Sequence, residues 1–165
     1  MTYGHDPRSI ANFILDVADE IGRPASNLVL NKVAYFLHGA YLAQTRQPLI
    51  DARIEAWNYG PVFREIYHEF KSFKDLPITS RAQTINRITG QKQISQYSDL
   101  GEEKRLFLRE IAISYLKLRP GVLVELSHVH DGPWHETWFH DGRVNPGMEI
   151  SNEIIERHFA AQGRH

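Results

Sequence analysis

The sequence predicts a mainly α-helical fold: a single compact domain of about six to seven helices, with a short extended segment or a small β-hairpin. Apolar side chains recur every three to four residues along most of the chain, which places them on one face of a helix. Apolar residues make up 42% of the 165 residues and aromatic residues 11%, enough for one well-filled core. No internal repeat or linker divides the chain, so residues 1–165 are expected to form one domain.

The first helix has clear ends. Asp6 is a suitable N-cap residue and Pro7 fits the first helical position, while Gly22 and Pro24 end the helix. Its inward stripe consists of Ile10, Phe13, Ile14, Val17 and Ile21.

The second helix is predicted over residues 28–42, after Ser26 or Asn27 as its cap. It is apolar on nearly every face, which is typical of a helix in the centre of a domain. Gly39 lies in its interior, where glycine costs helix stability. We therefore expect a neighbouring element to pack closely against Gly39.

A short half-buried strand follows, because Ile54 and Ala56 alternate with more polar neighbours. Residues 58–61 are predicted to turn the chain, and Pro61 to open a third helix. The apolar residues assigned to this helix are Val62, Phe63, Ile66, Tyr67, Phe70 and Phe73.

Residues 78–98, called the arm below, are polar and irregular. They contain no acidic residue, and Arg81, Arg87 and Lys92 give the arm three positive charges. A β-hairpin centred near Gly90-Gln91 is one interpretation, and an exposed polar loop is the other.

The last third of the chain is predicted to be helical, over residues 101–118, 122–129 and a final helix capped by Ser151. A turn beginning at Gly132-Pro133 carries Trp134 and Trp138. The residues predicted to face inward on the first of these helices are Leu106, Phe107, Ile111, Tyr115 and Leu118.

Composition excludes several classes of protein. The chain has no cysteine, so it has neither disulfides nor a cysteine nucleophile. It lacks a signal-peptide pattern near its first residues and any membrane-length apolar run, so we expect a cytoplasmic protein. The 19 basic and 20 acidic residues nearly balance, and this argues against a dedicated nucleic-acid-binding surface.

Nothing in the sequence requires catalysis, a metal or a cofactor. His128, His130, His135 and His140 fall close together, but their spacing matches no metalloenzyme motif, and surface or capping histidines are the preferred interpretation. Ser127, His128 and Asp131 are adjacent in sequence, which says little about a catalytic triad. Trp57 and Tyr59, beside a tight turn, are candidates for a protein-binding patch, although Trp57 could equally cap the core.

Two motifs at a defined separation resemble a known family. Residues 32–42 read KVAYFLHGAYL and residues 54–62 read IEAWNYGPV. These resemble the Panacea domain, the SocA-like antitoxin family, in which a K-x-x-Y-F-x-H helix precedes E-A-W-x-Y-G-P-V. The later segments 126–128, 133–134 and 150–155 are similar to the C-terminal pattern of the family.

The resemblance implies a helical antitoxin whose partner is a cognate toxin protein, encoded by an adjacent gene in a bacterial or prophage genome. The residues predicted to bind this partner are Trp57, Tyr59, Arg81, Arg87, Lys92 and Trp134. A DNA-binding regulator and a small metal-dependent hydrolase using residues 128–140 are the alternatives. Homo-oligomerisation is compatible with the sequence as well.

Overall fold

The structure, a computed structural model, describes residues 4–162. It contains, in chain order, α1 (Pro7–Glu20), α2 (Asn27–Thr45), β1 (Ile54–Trp57), β2 (Gly60–Phe63), α3 (Arg64–Phe70), β3 (Gln83–Ile85), β4 (Lys92–Ile94), α4 (Glu102–Leu116), α5 (Pro120–Ser127), α6 (Pro133–Trp138) and α7 (Asn152–Gln162). The mainly α prediction is confirmed. Within residues 4–162, no helix is both long enough and apolar enough to cross a membrane.

The predicted helix caps are present. The Asp6 side chain accepts a hydrogen bond from the Arg8 N–H, with Pro7 at the first helical position. Ser26 accepts from the Val29 N–H, and Ser151 accepts from the Ile154 N–H at the start of α7. These bonds satisfy donors that a helix N-terminus otherwise leaves unpaired.

Helix α2 lies at the centre of the fold, as its apolar faces predicted. It contacts α1, α3, α4, α5, α7 and β2, and residues 29–39 are all buried. The close contact expected at Gly39 is with Phe159 of α7, whose ring atoms would lie 2.4 Å from an added Cβ.

Strands β1 and β2 form an antiparallel hairpin in which Ala56 pairs with Pro61. The prediction that Pro61 opens a helix is therefore wrong: Pro61, Val62 and Phe63 are extended, and α3 begins at Arg64. On its other side β1 bonds to residues 147–150, where Ala56 pairs its N–H and carbonyl with Met148 and Gly147. Strand β2 is therefore an edge strand, and an edge strand tolerates a proline that has no N–H.

Most of the predicted inward face of α4 packs against the core, but Leu106 does not. Leu108, Ala112 and Leu116 are buried, whereas Leu106 is 49% exposed. The assignment of Leu106 to the core is wrong, because it lies two residues before Leu108 and so about 200° around the helix. Phe107 and Tyr115 flank the buried stripe and are partly covered by the core.

Candidate functional site

The arm is a β-hairpin, in agreement with one of the two interpretations of the sequence. Strands β3 and β4 are antiparallel, with Ile85 opposite Lys92 and Gln83 opposite Ile94. The connecting turn is closed by the side-chain oxygen of Asn86, which accepts from the N–H groups of Ile88 and Thr89 at 2.8 Å and 3.1 Å.

A buried asparagine of α1 holds both ends of the arm. The Asn12 side chain donates to the carbonyl oxygens of Ala82 and Ser95 at 3.0 Å and 2.9 Å. It also accepts from the Ala82 N–H at 2.8 Å, and Asn12 is only 1% exposed. All three bonds go to the arm backbone, so this part of the attachment does not depend on the side chains of the arm.

Charged groups on α1 reinforce this attachment. Arg81 forms ion pairs with Asp16, at 2.8 Å between Nε and Oδ1, and with Asp19. The Tyr97 hydroxyl, at the other end of the arm, donates to Asp16. Burial, together with this hydrogen bond, raises the pKa of Tyr97 to about 12, so the phenol stays protonated at neutral pH.

The hairpin presents apolar side chains to solvent. Ile88 at the tip is 96% exposed, and Ile85 and Ile94 are 64% and 50% exposed. Because opposite residues of a hairpin share a face, Ile85, Ile94 and Lys92 lie on the same side. Arg87 is also exposed, and within residues 4–162 neither Arg87 nor Lys92 forms an ion pair.

The second candidate region is the aromatic patch, formed by Trp57, Tyr59 and Trp134. Tyr59 is 67% exposed at the β1–β2 turn, while Trp134 is buried. The Trp134 Nε1–H donates to the carbonyl oxygen of Trp57 at 2.7 Å, and the Trp57 Nε1–H donates to the buried carboxylate of Glu55 at 2.9 Å. Trp134 thus supports the β1–β2 hairpin from its buried side, and Tyr59 faces solvent.

A buried polar cluster lies beneath the same turn. The Lys32 ammonium is fully buried and donates to the carbonyl oxygen of Pro61 at 3.4 Å. Burial lowers the pKa of Lys32 to about 7. A Cβ at Gly60 would lie 2.8 Å from Ser127 Oγ and 2.9 Å from Lys32 Cε. Glycine is therefore needed at this position, where φ is +114°.

The histidines of residues 128–140 separate into distinct environments. His128 stacks on Trp134, with 3.9 Å between ring centroids, and burial, together with the charge of Lys32, lowers its pKa. The Ser127 hydroxyl donates to the Val124 carbonyl at 2.8 Å. The hydroxyl proton of Ser127 is therefore directed at this carbonyl, whereas a catalytic Ser-His pair would direct it at the histidine.

His130, Asp131 and His135 come together, with one possible ligand atom from each within 4.8 Å of the others.

The structure thus divides the six predicted partner-binding residues. Tyr59, Arg87 and Lys92 are exposed and Trp57 is half-buried, whereas Trp134 is buried and Arg81 faces α1. Sequence reasoning did not single out Ile85, Ile88 and Ile94. Four isoleucines, the buried Ile78 among them, in an otherwise polar arm were the available signal, but strands of three residues are too short to show an alternating pattern.

The chain, a helical scaffold with two small β-hairpins, belongs to the SocA-like antitoxin family with the Panacea domain. The family model described as "Antitoxin SocA-like, Panacea domain" matches residues 30–135. This range includes the aromatic patch and the arm. The chain is similar to Antitoxin SocA of Caulobacter vibrioides (strain NA1000 / CB15N), with 30% identity over 161 residues that cover 95% of this chain and 84% of the relative. No solved structure gives a significant match.

Proposed function

We propose that this protein is an antitoxin that neutralises a cognate toxin, the product of an adjacent gene, by direct protein–protein binding. The observation that carries the proposal is the arm: a hairpin fixed to α1 at both ends whose exposed surface combines isoleucines with the cations Arg87 and Lys92. Membership of an antitoxin family supports a toxin as the partner.

The arm could contribute to binding in two ways, through burial of apolar surface and through attraction between charges. Covering an exposed isoleucine contributes up to roughly 2 kcal/mol, and Ile88 at 96% exposure has nearly all of that to gain. Arg87 and Lys92 would attract an acidic surface and speed association. The hydrogen bonds of Asn12 order the arm in advance, which reduces the entropy lost on binding.

The aromatic patch extends the proposed interface. Helix α3 links it to the arm, because Tyr67 packs against Trp57 with 4.8 Å between ring centroids, and Glu69 accepts a hydrogen bond from the Gln83 N–H at 3.1 Å. Tyr59 and Trp57 would contact the toxin, while Trp134 and Arg81 position the residues that do. Tyrosine and tryptophan are common among the residues that dominate binding energy.

Co-expression with the product of each adjacent gene tests the proposal. We expect that one neighbour arrests growth when expressed alone, that this protein restores growth, and that the two proteins co-purify. A toxic neighbour that neither binds nor is neutralised by this protein would contradict the proposal, and so would the absence of any toxic neighbour.

Variants of the arm test the assigned surface. Replacing Arg87 and Lys92 by Glu and Ile88 by Asp reverses the charge and removes the apolar tip without touching the contacts of Asn12. We expect loss of co-purification and of rescue. The matched control is Leu106→Asp with Lys117→Glu, an exposed apolar and a basic residue of the α4 region. Equal rescue by the arm variant and the control would exclude the arm as the interface.

A further inference from the structure

The junction between α5 and α6 brings three potential metal ligands to one place. His130 and Asp131 lie in the junction and His135 lies in the short helix α6. The backbone of Asp131 is left-handed, with φ of +61°, and the Gly132 N–H donates to the Val129 carbonyl at 2.9 Å. This tight turn places the Asp131 backbone beside the ring of His135.

The distances among the three side chains are short. His130 Nδ1 and Asp131 Oδ2 are 3.2 Å apart. The Asp131 N–H donates to His135 Nδ1 at 3.3 Å, and the two imidazole centroids are 4.6 Å apart. One ligand atom from each of the three residues lies within 4.8 Å of the other two.

We propose that His130, Asp131 and His135 bind one divalent transition-metal ion, with Zn²⁺ as the preferred ion. Two imidazoles and one carboxylate suit zinc, whereas Ca²⁺ and Mg²⁺ prefer oxygen ligands alone. The proposal is independent of toxin binding. It assigns no reaction to the site.

The geometry needs only a small adjustment to bind zinc. Tetrahedral zinc holds nitrogen ligands at ~2.0–2.1 Å, so its ligand atoms lie roughly 3.3 Å apart. The pair formed by His130 and Asp131 already has this separation. His130 and Asp131 are exposed, and their side chains have room to close on an ion. Coordination through His135 Nδ1 would replace the long hydrogen bond from the Asp131 N–H, and water would complete the coordination shell.

The surrounding residues restrict how the turn can move. A Cβ at Gly132 would lie 2.7 Å from Val129 Cγ2, so this turn is closely packed. The His135 ring packs against Phe139, with 4.9 Å between centroids, and Glu136 beside it pairs with Arg157 at 3.3 Å. The backbone of the turn and the His135 ring are therefore restricted before an ion binds, which favours affinity.

Calorimetric titration of the full chain with ZnCl₂, after removal of any purification tag, tests the site. We expect one tightly bound ion per chain and a rise in melting temperature on saturation, because an ion that binds only the folded state stabilises it. His130→Ala and His135→Ala should each weaken binding by about tenfold or more, since even loss of a supporting group has an effect of that size. Asp131→Asn removes the charge with a residue that tolerates left-handed backbone.

The control is His140→Ala. His140 pairs with its own neighbouring aspartate, Asp141, at 3.7 Å, but within residues 4–162 no further potential ligand joins this pair. Zinc affinity should be unchanged in this variant, and circular dichroism should show that all variants keep the wild-type fold. Absence of zinc binding by the wild-type chain would overturn the proposal. Equal loss of affinity in His140→Ala would overturn it as well.

Discussion

The ring of Phe159 on α7 occupies the space beside Gly39 on α2, so closely that an added Cβ would lie 2.4 Å from its Cδ2 atom. The same ring packs edge-on against Tyr35, with 5.5 Å between centroids. The absence of a side chain at Gly39 thus allows α7 to approach the central helix, and this contact closes the core at its C-terminal end.

We predict that Gly39→Ala lowers the free energy of unfolding by roughly 1–3 kcal/mol, as overpacking of a core typically does. Chemical denaturation measures this change. Gly121→Ala is the control, because Gly121 is also helical but an added Cβ meets no atom within 4 Å. That variant should not be destabilised and should gain at most about 0.5–1 kcal/mol from helix propensity, because Gly121 lies in the first turn of α5. Equal effects at the two positions would contradict the packing argument.

The buried amine of Lys32 predicts an unusual pH dependence. Its pKa is lowered by burial to about 7 from the ordinary 10.5, so between these values the unfolded chain binds a proton that the folded chain does not. The free energy of unfolding should therefore rise as pH increases from about 7 to the onset of tyrosine ionisation. The full difference amounts to a few kcal/mol at about 1.4 kcal/mol per pKa unit.

Lys32→Met should remove this slope, because it fills a similar volume without a titrating group. The exposed Lys117→Met serves as control and should keep the slope. Denaturation curves at several pH values measure both, and a slope that persists in Lys32→Met would rule out Lys32 as its source.

The buried side chain of His38 predicts a loss of stability at acid pH. Its Nδ1 accepts from the Ile50 N–H at 3.2 Å, and its Nε2 lies 2.9 Å from Asn152 Oδ1. Burial lowers the pKa of His38 to about 4, so the ring should remain neutral, with the proton on Nε2, until near that pH. From pH 6.5 downwards the unfolded chain binds the extra proton, and stability is lost through this window. Titration of the histidine ring resonances by NMR measures the pKa, and a His38 value near 6.5 would contradict the prediction.

The attachment of the arm is predicted to depend on Asn12. Asn12→Ala would leave buried backbone groups of Ala82 and Ser95 without partners, each at a cost of about 1–3 kcal/mol. The arm should then open locally, and trypsin should cut faster after Arg87 and Lys92. Mass spectrometry of the fragments identifies the cleavage sites.

Asn145→Ala is the matched control for this experiment. Asn145 donates to three carbonyl oxygens as well, those of Trp138, His140 and Arg143, but all of them lie outside the arm. Cleavage after Arg87 and Lys92 should keep its wild-type rate in this variant. Acceleration in both variants would indicate general destabilisation in place of release of the arm.

The sequence predicted the helices well, because helical periodicity and end signals are local. It did not predict that Pro61 lies in a strand, since a proline fits both the first position of a helix and an edge strand. The sequence did not predict the burial of Lys32 either. Its hydrogen bond goes to the carbonyl oxygen of Pro61, and only the folded β1–β2 hairpin brings the two residues together.

Much of the candidate site could not be predicted from the sequence either, because only the folded backbone brings its residues together. The spacing of His130 and His135 gave no metal signature, because their approach depends on the left-handed backbone at Asp131. Arg81 looked like part of an exposed basic patch, but its carboxylate partners on α1 come from more than sixty residues away along the chain. Charge and composition could predict the polarity of the arm, but not which of its cations face inward.

Asn12 holds the arm through backbone atoms, so the side chains of the arm can change without loss of these hydrogen bonds. Asn12 contacts main-chain groups that every amino acid other than proline possesses. Mutations in the strands and the turn can therefore accumulate without altering how the hairpin is seated on α1. Under the proposed function, the part of the toxin-binding surface on residues 83–94 could therefore change while the attachment through Asn12 is kept.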